Sequence, residues 1–241
     1  MAVEKEKPRE PLWARLERPA PAPRQTLTAV RIATAAVGIA DAEGLDAVTM
    51  RRLATELGVA PMAPYRYVSG KDELLELMVD HVYEGLRLPE GLGWRETMRA
   101  LGHGTREMML RHPWLAQLSP QAMLALTPRR MAVTERSLSA LAGSGLDSDA
   151  MMSVFRAVDA YATGAMAYEI AVQSFMAQQG YADGGELRSE LAPQMSWHIQ
   201  TGRYLAFEHY LKTAARKDDA LWRFETGLDY VLDGIAARLG V

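Results

Sequence analysis

Apolar residues recur at intervals of three and four positions along most of this chain, which is the spacing of one face of an α-helix. The stretch nearest the C-terminus is the most regular, and its apolar stripe comprises Leu221, Phe224, Leu228, Val231, Ile235 and Leu239. No segment shows the alternating β-branched pattern of a strand, and residues 181–193 have no apolar period, which predicts a loop there. The sequence therefore predicts an all-α protein.

Composition places the chain among soluble globular proteins, because 49% of its 241 residues are hydrophobic and 24% are charged. The absence of cysteine excludes a disulfide scaffold, a thiolate zinc site and a cysteine nucleophile. The most apolar stretch, 157–177, contains Asp159 and Glu169, which are costly in lipid, so we expect a buried helix and no membrane span. The N-terminus lacks the apolar core of a signal peptide, which predicts a cytoplasmic protein.

Residues 49–67 have the pattern of a short helix, a glycine turn and a second short helix at about 61–67. In a helix-turn-helix the second helix enters the major groove of DNA, although a helical hairpin in any all-α protein gives the same pattern. Charge favours DNA binding, since residues 49–71 contain four basic residues and one acidic residue, whereas residues 27–88 contain six basic and nine acidic ones. Positive charge is thus concentrated where DNA would lie.

Residues 39–80 resemble the DNA-binding domain of the tetracycline-repressor family of bacterial regulators. The motifs EGLDAVTMRRLA, LGV and YRYVSGKDELL carry this resemblance, because they follow one another in the order and spacing of the family. The segments RHPWLAQL and FETGLDYVLDGIAARL resemble the family's C-terminal domain more weakly. The resemblance implies an N-terminal three-helix helix-turn-helix domain at 27–88 and a larger helical domain for ligand binding and dimerisation at 89–241. The segment PEGLG marks the boundary between them.

The family pattern also implies which residues contact DNA. Thr49 caps the second helix beside a phosphate, Arg51 pairs with a guanine, and Lys71 attracts a phosphate at the start of the fourth helix. At the start of the third helix, Pro61, Met62 and Ala63 touch base edges. The side chains of Tyr65 and Tyr67 hold phosphates, and Arg66 contacts a base or a phosphate. Pro64 stands where the family usually has leucine, so we expect a slightly irregular recognition helix.

Ten of the 14 methionines lie at or beyond residue 98. Methionine recurs in adaptable binding sites, although it also fills ordinary helical cores. The resemblance implies a cavity between the helix after Trp94, residues 113–128 and the long helix around Phe155. The candidate cavity residues are Thr105, Met109, Trp114, Met123, Thr127, Met152, Phe155 and Asp159. An acid in such a cavity favours a cationic or hydrogen-bonding ligand.

The helix near 157–177 and the last helix have larger apolar faces than one monomer needs. Family members dimerise through a four-helix bundle with two such helices from each chain. The resemblance therefore implies a homodimer, with an interface that contains Phe224, Leu228, Val231 and Ile235. A twofold dimer matches a palindromic operator. The alternative is that both helices are interior to one large monomer.

Residues 1–26 contain five of the 12 prolines, which disfavours helix and predicts a flexible, basic arm. A basic arm beside a DNA-binding helix can enter the minor groove, and the candidates for this are Arg15, Arg18 and Arg24. One alternative is a passive tail. In another, Leu12 and Trp13 dock on the protein and only Arg18 and Arg24 reach DNA.

Together these features predict a ligand-responsive, DNA-binding transcriptional regulator, a repressor that a small apolar or amphipathic molecule releases from its operator. The expected partners are double-stranded DNA, a small-molecule effector and a second copy of the chain, and we expect no enzymatic activity, cofactor or metal. One rival is a helical enzyme or carrier with an incidental helix-turn-helix, which a nucleophile–base pair in the cavity would favour. The other is an architectural DNA-binding protein, which a filled C-terminal core would favour.

Overall fold

The computed structural model describes residues 12–16 and 27–240. Throughout these ranges the chain forms helices and no strand, so the predicted all-α class is confirmed. The α-helices are α1 (Leu12–Leu16), α2 (Ala29–Glu43), α3 (Met50–Leu57), α4 (Lys71–Tyr83), α5 (Trp94–Arg111), α6 (Pro120–Met123), α7 (Pro128–Leu141), α8 (Ser148–Gln179), α9 (Gly184–Gln200), α10 (Leu205–Thr213) and α11 (Ala220–Leu239). Short 3-10 helices form at Leu45–Ala47, Pro64–Arg66 and Pro113–Gln117.

Side-chain caps and one glycine set the limits of α2 and α3. The hydroxyls of Thr28 and Thr49 accept hydrogen bonds of 3.1 Å from the backbone N–H groups of Arg31 and Arg52, which begins each helix. The α3 helix ends at Gly58, whose φ of 65° lies in the left-handed region. The α2 helix packs against both α3 and α4 and so holds the helix-turn-helix segment together.

The predicted third helix at about 61–67 is wrong in its length, because the structure has a turn at 61–63 followed by the 3-10 helix Pro64–Arg66. The N–H of Ala63 donates to Ala60 at 2.9 Å and that of Tyr67 to Pro64 at 3.0 Å, which is the bonding of a 3-10 helix. Pro64 has no N–H with which to continue an α-helical ladder. The irregularity expected at Pro64 is therefore confirmed.

The C-terminal part is built around α8, whose 32 residues extend the predicted helix at 157–177 in both directions. The α5 and α11 helices pack along α8, and α7 packs against α5 and α8. The core between them contains Met98, Leu101, Ala162, Met166 and Leu228, all buried. Within residues 12–16 and 27–240, no helix has the length and apolar character needed to cross a membrane.

The prediction of a loop at 181–193 is wrong, since Gly184–Gln200 forms α9. Asp183 begins this helix, because its Oδ1 accepts hydrogen bonds from the N–H groups of Gly185 at 2.7 Å and Glu186 at 3.0 Å. None of the residues of α9 is buried. A helix without a buried face needs no apolar period, which is why periodicity missed it.

The prediction that proline keeps helix out of the N-terminal arm fails at α1, whose five residues contain no proline. Leu12 is only 3% exposed, and Trp13 packs against the hydrophobic core. Arg15 Nη2 lies 2.5 Å from Glu73 Oε2 in the first turn of α4, so Arg15 is paired with a carboxylate in this structure, and its DNA contact stays a prediction. This docking agrees with the alternative in which Leu12 and Trp13 anchor the arm. The two other arginines that were candidates for the minor groove, Arg18 and Arg24, lie outside the described residues.

Candidate nucleic-acid interface and ligand cavity

Three basic side chains of the helix-turn-helix segment are exposed: Arg51 on α3, Arg66 on the 3-10 helix and Lys71 at the start of α4. Within the described residues, none of the three takes part in an ion pair. Lys71 also lies in the first turn of α4, where free backbone N–H groups and the helix dipole attract an anion. This surface therefore presents unpaired positive charge that a phosphate backbone would neutralise.

Arg52 differs from its neighbour Arg51, because two carboxylates hold it. Its Nη2 lies 2.7 Å from Glu43 Oε1 and its Nη1 lies 2.8 Å from Glu56 Oε2. The hydrogen bonds to Glu43 and Glu56 raise the pKa of Arg52, and the bond from Arg52 lowers the pKa of Glu43. Arg52 thus joins the end of α2 to α3 and has its charge already neutralised.

Most of the other expected DNA contacts are accessible, and Met62 is 70% exposed. Tyr67 is an exception, because it is half-buried and its hydroxyl donates a hydrogen bond to the carbonyl oxygen of Leu27. Since its only O–H is used there, Tyr67 has no hydroxyl proton left for a phosphate in this structure, and the phosphate contact expected of it stays a prediction. The exposed or half-exposed candidates are Thr49, Pro61, Met62, Ala63 and Tyr65.

A cavity of about 430 Å³ lies between α4, α5, α7 and α8. It is lined by four of the expected cavity residues: Thr105, Met109, Met123 and Asp159. Its volume and mostly apolar wall suit a small organic molecule. The C-terminal core is therefore not filled, which removes the feature that would favour an architectural DNA-binding protein.

The other four expected cavity residues lie outside this wall, so their predicted places are wrong. Trp114 is 2% exposed, and its indole N–H bonds to Asp41 on α2 rather than facing the cavity. Thr127 is buried at the N-terminal end of α7. Met152 and Phe155 are half-buried on an earlier part of α8, where Phe155 packs against the core.

Sequence reasoning missed the contribution of α4 and α7 to the cavity. Val79 and Tyr83 of α4, and Arg130 of α7, all line it. The i, i+4 spacing of Val79 and Tyr83 places them on one helix face, but the sequence does not show what that face meets. The remaining lining residues are Met108, Leu115, Leu118, Ala122, Ala160, Thr163 and Gly164.

The ionisable groups of the cavity are Tyr83, Arg130 and Asp159. Arg130 Nη1 donates hydrogen bonds to the carbonyl oxygens of Met123 and Ala125. Burial raises the pKa of the Asp159 carboxyl, and the positive charge of Arg130 partly opposes this effect. Burial also raises the pKa of the Tyr83 phenol, which therefore stays neutral near pH 7. The cavity thus holds one permanent positive charge and one carboxyl group.

Two groups of polar contacts connect the segment 112–129 beside the cavity to α2 and α4, the helices on either side of the helix-turn-helix segment in the chain. Asp41 of α2 accepts the indole N–H of Trp114 at 2.8 Å and lies 2.9 Å from His112 Nδ1. Asp80 of α4 is buried and accepts both the backbone N–H of Arg129 at 2.8 Å and its Nη1 at 2.6 Å. Arg129 lies in the first turn of α7, which borders the cavity. These contacts would transmit a displacement of residues 112–129 to α2 and α4.

The stripe on α11 that was expected at a dimer interface is divided between the core and a groove. Phe224 and Leu228 are buried within a single chain, so their expected place in a dimer interface is wrong and the interior alternative holds for them. A Cβ added to Gly102 would lie 2.9 Å from Leu228 Cδ2, because α11 packs so closely on α5. Val231 and Ile235 are half-buried and line a groove of about 520 Å³ between α8 and α11.

Comparison with known proteins places both parts of the chain in one family. The family model for bacterial regulatory proteins of the tetR family matches residues 32–78, and that for the tetracyclin repressor-like C-terminal domain matches residues 88–239. The HTH-type transcriptional repressor DrrR1 of Streptomyces coeruleorubidus is 36% identical over 229 residues, which cover 94% of this chain and 83% of the relative. An HTH-type transcriptional regulator of Saccharopolyspora erythraea is 30% identical over 219 residues, which cover 89% of this chain and 87% of the relative.

Solved structures agree with this relationship. The crystal structure of the Streptomyces coelicolor TetR family protein ActR in complex with actinorhodin is 30% identical, with a TM-score of 0.71. The similarity covers 89% of this chain and 97% of that one. The chain belongs to the tetracycline repressor family of bacterial transcriptional regulators.

Proposed function

We propose that this protein represses transcription by binding a palindromic operator as a homodimer, and that it leaves DNA when a small molecule occupies the cavity. The exposed Arg51, Arg66 and Lys71 support DNA binding through α3, the 3-10 helix Pro64–Arg66 and the start of α4. The relative ActR has been crystallised with actinorhodin, which supports a small-molecule effector. Since bacterial DNA lies in the cytoplasm, the repressor acts there.

One helix joins the two sites, and this observation carries the proposal. The α4 helix begins at Lys71 in the helix-turn-helix segment, and its Val79 and Tyr83 line the cavity. At 1.5 Å per residue, Lys71 and Tyr83 are about 18 Å apart along the helix axis. A ligand that displaces Val79 or Tyr83 therefore moves the helix whose first turn faces DNA. Ligand and operator favour different positions of α4, so each weakens the binding of the other.

The groove between α8 and α11 supports the dimer. Val231 and Ile235 line it, and Tyr230 beside them is 72% exposed within the single chain. Exposed apolar groups along two long helices are typical of an interface between copies of one chain. We therefore place the twofold contact at this groove and not at Phe224 and Leu228.

An enzyme built on the same cavity is the second candidate. Covalent catalysis needs a nucleophile within hydrogen-bond reach of a base. The cavity hydroxyls belong to Tyr83, Thr105 and Thr163, and none of them bonds to a base in the described part of the chain. This arrangement favours ligand binding over covalent catalysis.

Selection of duplexes from random-sequence DNA tests the DNA-binding half of the proposal. We expect an inverted repeat, because two symmetry-related recognition elements read the two half-sites. Sedimentation of the complex should give two chains per duplex or a multiple of two. Recovery of DNA without any shared sequence would contradict a specific operator.

Nile red, a neutral apolar dye, tests the effector half. Gly164 lines the cavity, and a Cβ added there meets nothing within 4 Å, so Gly164→Leu has room at its first carbon and should narrow the cavity. The wild-type protein should bind the dye and lose affinity for it when the selected duplex is added, whereas Gly164→Leu should bind the dye at least about tenfold more weakly. Gly38→Leu is the matched control, since Gly38 is an exposed helical glycine of α2 with equal space. Equal dye binding by Gly164→Leu would place the ligand elsewhere.

A further inference from the structure

A second cleft of about 430 Å³ lies where the connection between α4 and α5, residues 84–93, meets α7. We call it the linker cleft. Leu86 of the connection and Val133 of α7 are buried and form part of its apolar wall. Tyr83 lines both this cleft and the cavity described above, so the two spaces share one side chain.

Charged side chains form the rest of the rim of the linker cleft, three guanidinium groups and two carboxylates: Arg87, Arg129, Arg136, Glu84 and Glu90. Arg129 is already neutralised, because it lies 2.6 Å from Asp80 Oδ2 and 3.1 Å from Glu84 Oε2. Within residues 12–16 and 27–240, the other two arginines and Glu90 take part in no ion pair. The unpaired charges of the cleft are therefore two guanidinium groups and one exposed carboxylate.

Backbone carbonyl oxygens hold the two unpaired arginines beside the cleft. Nε and Nη2 of Arg136 donate hydrogen bonds to the carbonyl oxygen of Pro89 at 3.2 and 2.8 Å. Nε of Arg87 donates to the carbonyl oxygen of Glu84 at 3.3 Å. A guanidinium has five N–H donors, so each arginine keeps donors that no described residue accepts. A carbonyl oxygen carries no net charge, and both positive charges stay available for an anion.

We propose that the linker cleft is a second ligand site and that it takes a small aromatic carboxylate. The carboxylate pairs with Arg87 and Arg136, whose planar N–H forks match its two oxygens. The ring covers Leu86 and Val133 and removes apolar surface from water. A neutral ring would leave the arginines unpaired, and a small anion without a ring would leave the apolar wall exposed.

Occupation of the linker cleft should also favour binding in the cavity. A carboxylate there connects Arg87 on the α4–α5 connection to Arg136 on α7 and so fixes the end of α4. Cleft and cavity are both open in this one structure, so ligands of the two sites favour the same position of Tyr83. Each ligand then raises the affinity for the other. This coupling rests on the proposed function, whereas the carboxylate site does not.

Calorimetric titration of the full-length protein with 2-naphthoate, 2-naphthamide and acetate tests the ligand class. 2-Naphthoate should bind at least about tenfold more tightly than either of the others, because the amide lacks the charge and acetate lacks the ring. Arg87→Gln and Arg136→Gln should each weaken 2-naphthoate binding about tenfold, and Glu90→Gln should strengthen it about threefold. Arg203→Gln is the matched control, since Arg203 is an exposed arginine far along the chain, and it should bind like the wild type.

Gly164→Leu distinguishes the two spaces, because Gly164 lines the cavity and not the linker cleft. This variant should bind 2-naphthoate like the wild type. Loss of binding in Gly164→Leu together with normal binding in both arginine variants would place the carboxylate in the cavity and overturn the proposal. Equal affinity for 2-naphthoate and 2-naphthamide would overturn it as well. Wild-type circular dichroism of Arg87→Gln and Arg136→Gln shows that neither loss of affinity comes from unfolding.

Nile red measures the coupling. Saturating 2-naphthoate should strengthen binding of the dye about threefold. Unchanged dye affinity would contradict the coupling, and mutual displacement of the two compounds would show that they share one space and would overturn the second site. If 2-naphthoate binds as expected but Nile red does not bind at all, the proposed function loses its effector half and the carboxylate site stands.

Discussion

The indole N–H of Trp114 donates a 2.8 Å hydrogen bond to Asp41, which joins the 3-10 helix Pro113–Gln117 to α2. His112 Nδ1 lies 2.9 Å from the same carboxylate oxygen, so two ring nitrogens surround it. The residue that follows Trp114 is Leu115, which lines the cavity. The contact therefore connects the cavity wall to the helix that supports the helix-turn-helix segment.

Trp114→Phe should lower the free energy of unfolding by about 1–3 kcal/mol, because it removes a donor to a carboxylate and part of a buried ring. Urea denaturation gives this value. In an Asp41→Ala background the same substitution should cost about 1 kcal/mol less, since the hydrogen bond is then already absent. Strictly additive effects of the two substitutions would show that Trp114 and Asp41 do not stabilise each other.

Arg51 and Lys71 should make different kinds of DNA contact. Lys71→Ala should weaken binding to every duplex and reduce the slope of log affinity against log salt by about one unit. Arg51→Ala should in addition relax the preference at one base pair of each half-site, with a loss of about 1–3 kcal/mol of discrimination. Fluorescence anisotropy with operator and random duplexes measures both effects.

Arg52→Ala is the matched control, because it removes the same charge from a side chain that Glu43 and Glu56 already neutralise. Its salt slope should stay close to that of the wild type. Equal losses of operator and random-DNA affinity in Arg51→Ala would remove the base-reading role of Arg51.

Gly234→Glu should dissociate the dimer. Gly234 lines the groove between α8 and α11, and a Cβ added there meets nothing within 4 Å of the same chain. The new carboxylate would be harmless in a monomer but unpaired within an apolar interface, where its cost is several kcal/mol, on the order of 3–5. Analytical ultracentrifugation should then show a folded monomer.

Two further variants serve as controls for the dissociation of the dimer by Gly234→Glu. Gly38→Glu places the same charge on an exposed glycine of α2 and should remain dimeric. Leu228→Glu should instead unfold the protein, because Leu228 is 0% exposed within one chain. A wild-type protein that sediments as a folded monomer at micromolar concentration would contradict the dimer.

The N-terminal arm should contribute to both stability and DNA affinity, through different residues. Leu12→Ala should lower the free energy of unfolding by about 2 kcal/mol, because Leu12 is buried against the core. Deletion of residues 1–20 should also lower operator affinity about tenfold, or about 1.4 kcal/mol. Gel-shift titration of the truncated protein at physiological salt measures this loss. Operator affinity equal to that of the full chain would leave the arm with no role in DNA binding.

Asp159 should make stability depend on pH. Burial raises the pKa of its carboxyl in the folded state, so the wild type loses stability as pH rises from 3.8 through that raised pKa. Asp159→Asn should therefore raise the free energy of unfolding at about pH 7, and the gain should shrink as pH falls toward 3.8. Urea denaturation at several pH values checks this. Glu190→Gln on the exposed surface of α9 should show no such gain.

The all-α fold class and the positions of several helices follow from the sequence by itself. The helix at 221–239, the cap at Thr49 and the glycine turn after α3 all appear where the pattern predicts them. Pro64 likewise disturbs the recognition helix as expected. These signals are local, because caps, turns and helical periods depend on residues within about four positions of each other. Local signals failed at α9, whose exposed surface leaves no apolar period, and at α1, where a short helix forms among the prolines of the arm.

Tertiary structure decided which side chains remain available for function. Arg51 and Arg52 are adjacent in sequence, yet only Arg52 meets carboxylates from α2 and α3. Leu228 and Val231 share one stripe, yet α5 covers the first and leaves the second beside a groove. Arg130 and Asp159 come into one cavity from α7 and α8. Helix periodicity identifies an apolar face, but the partner of that face comes from distant parts of the chain and is fixed only when the helices pack.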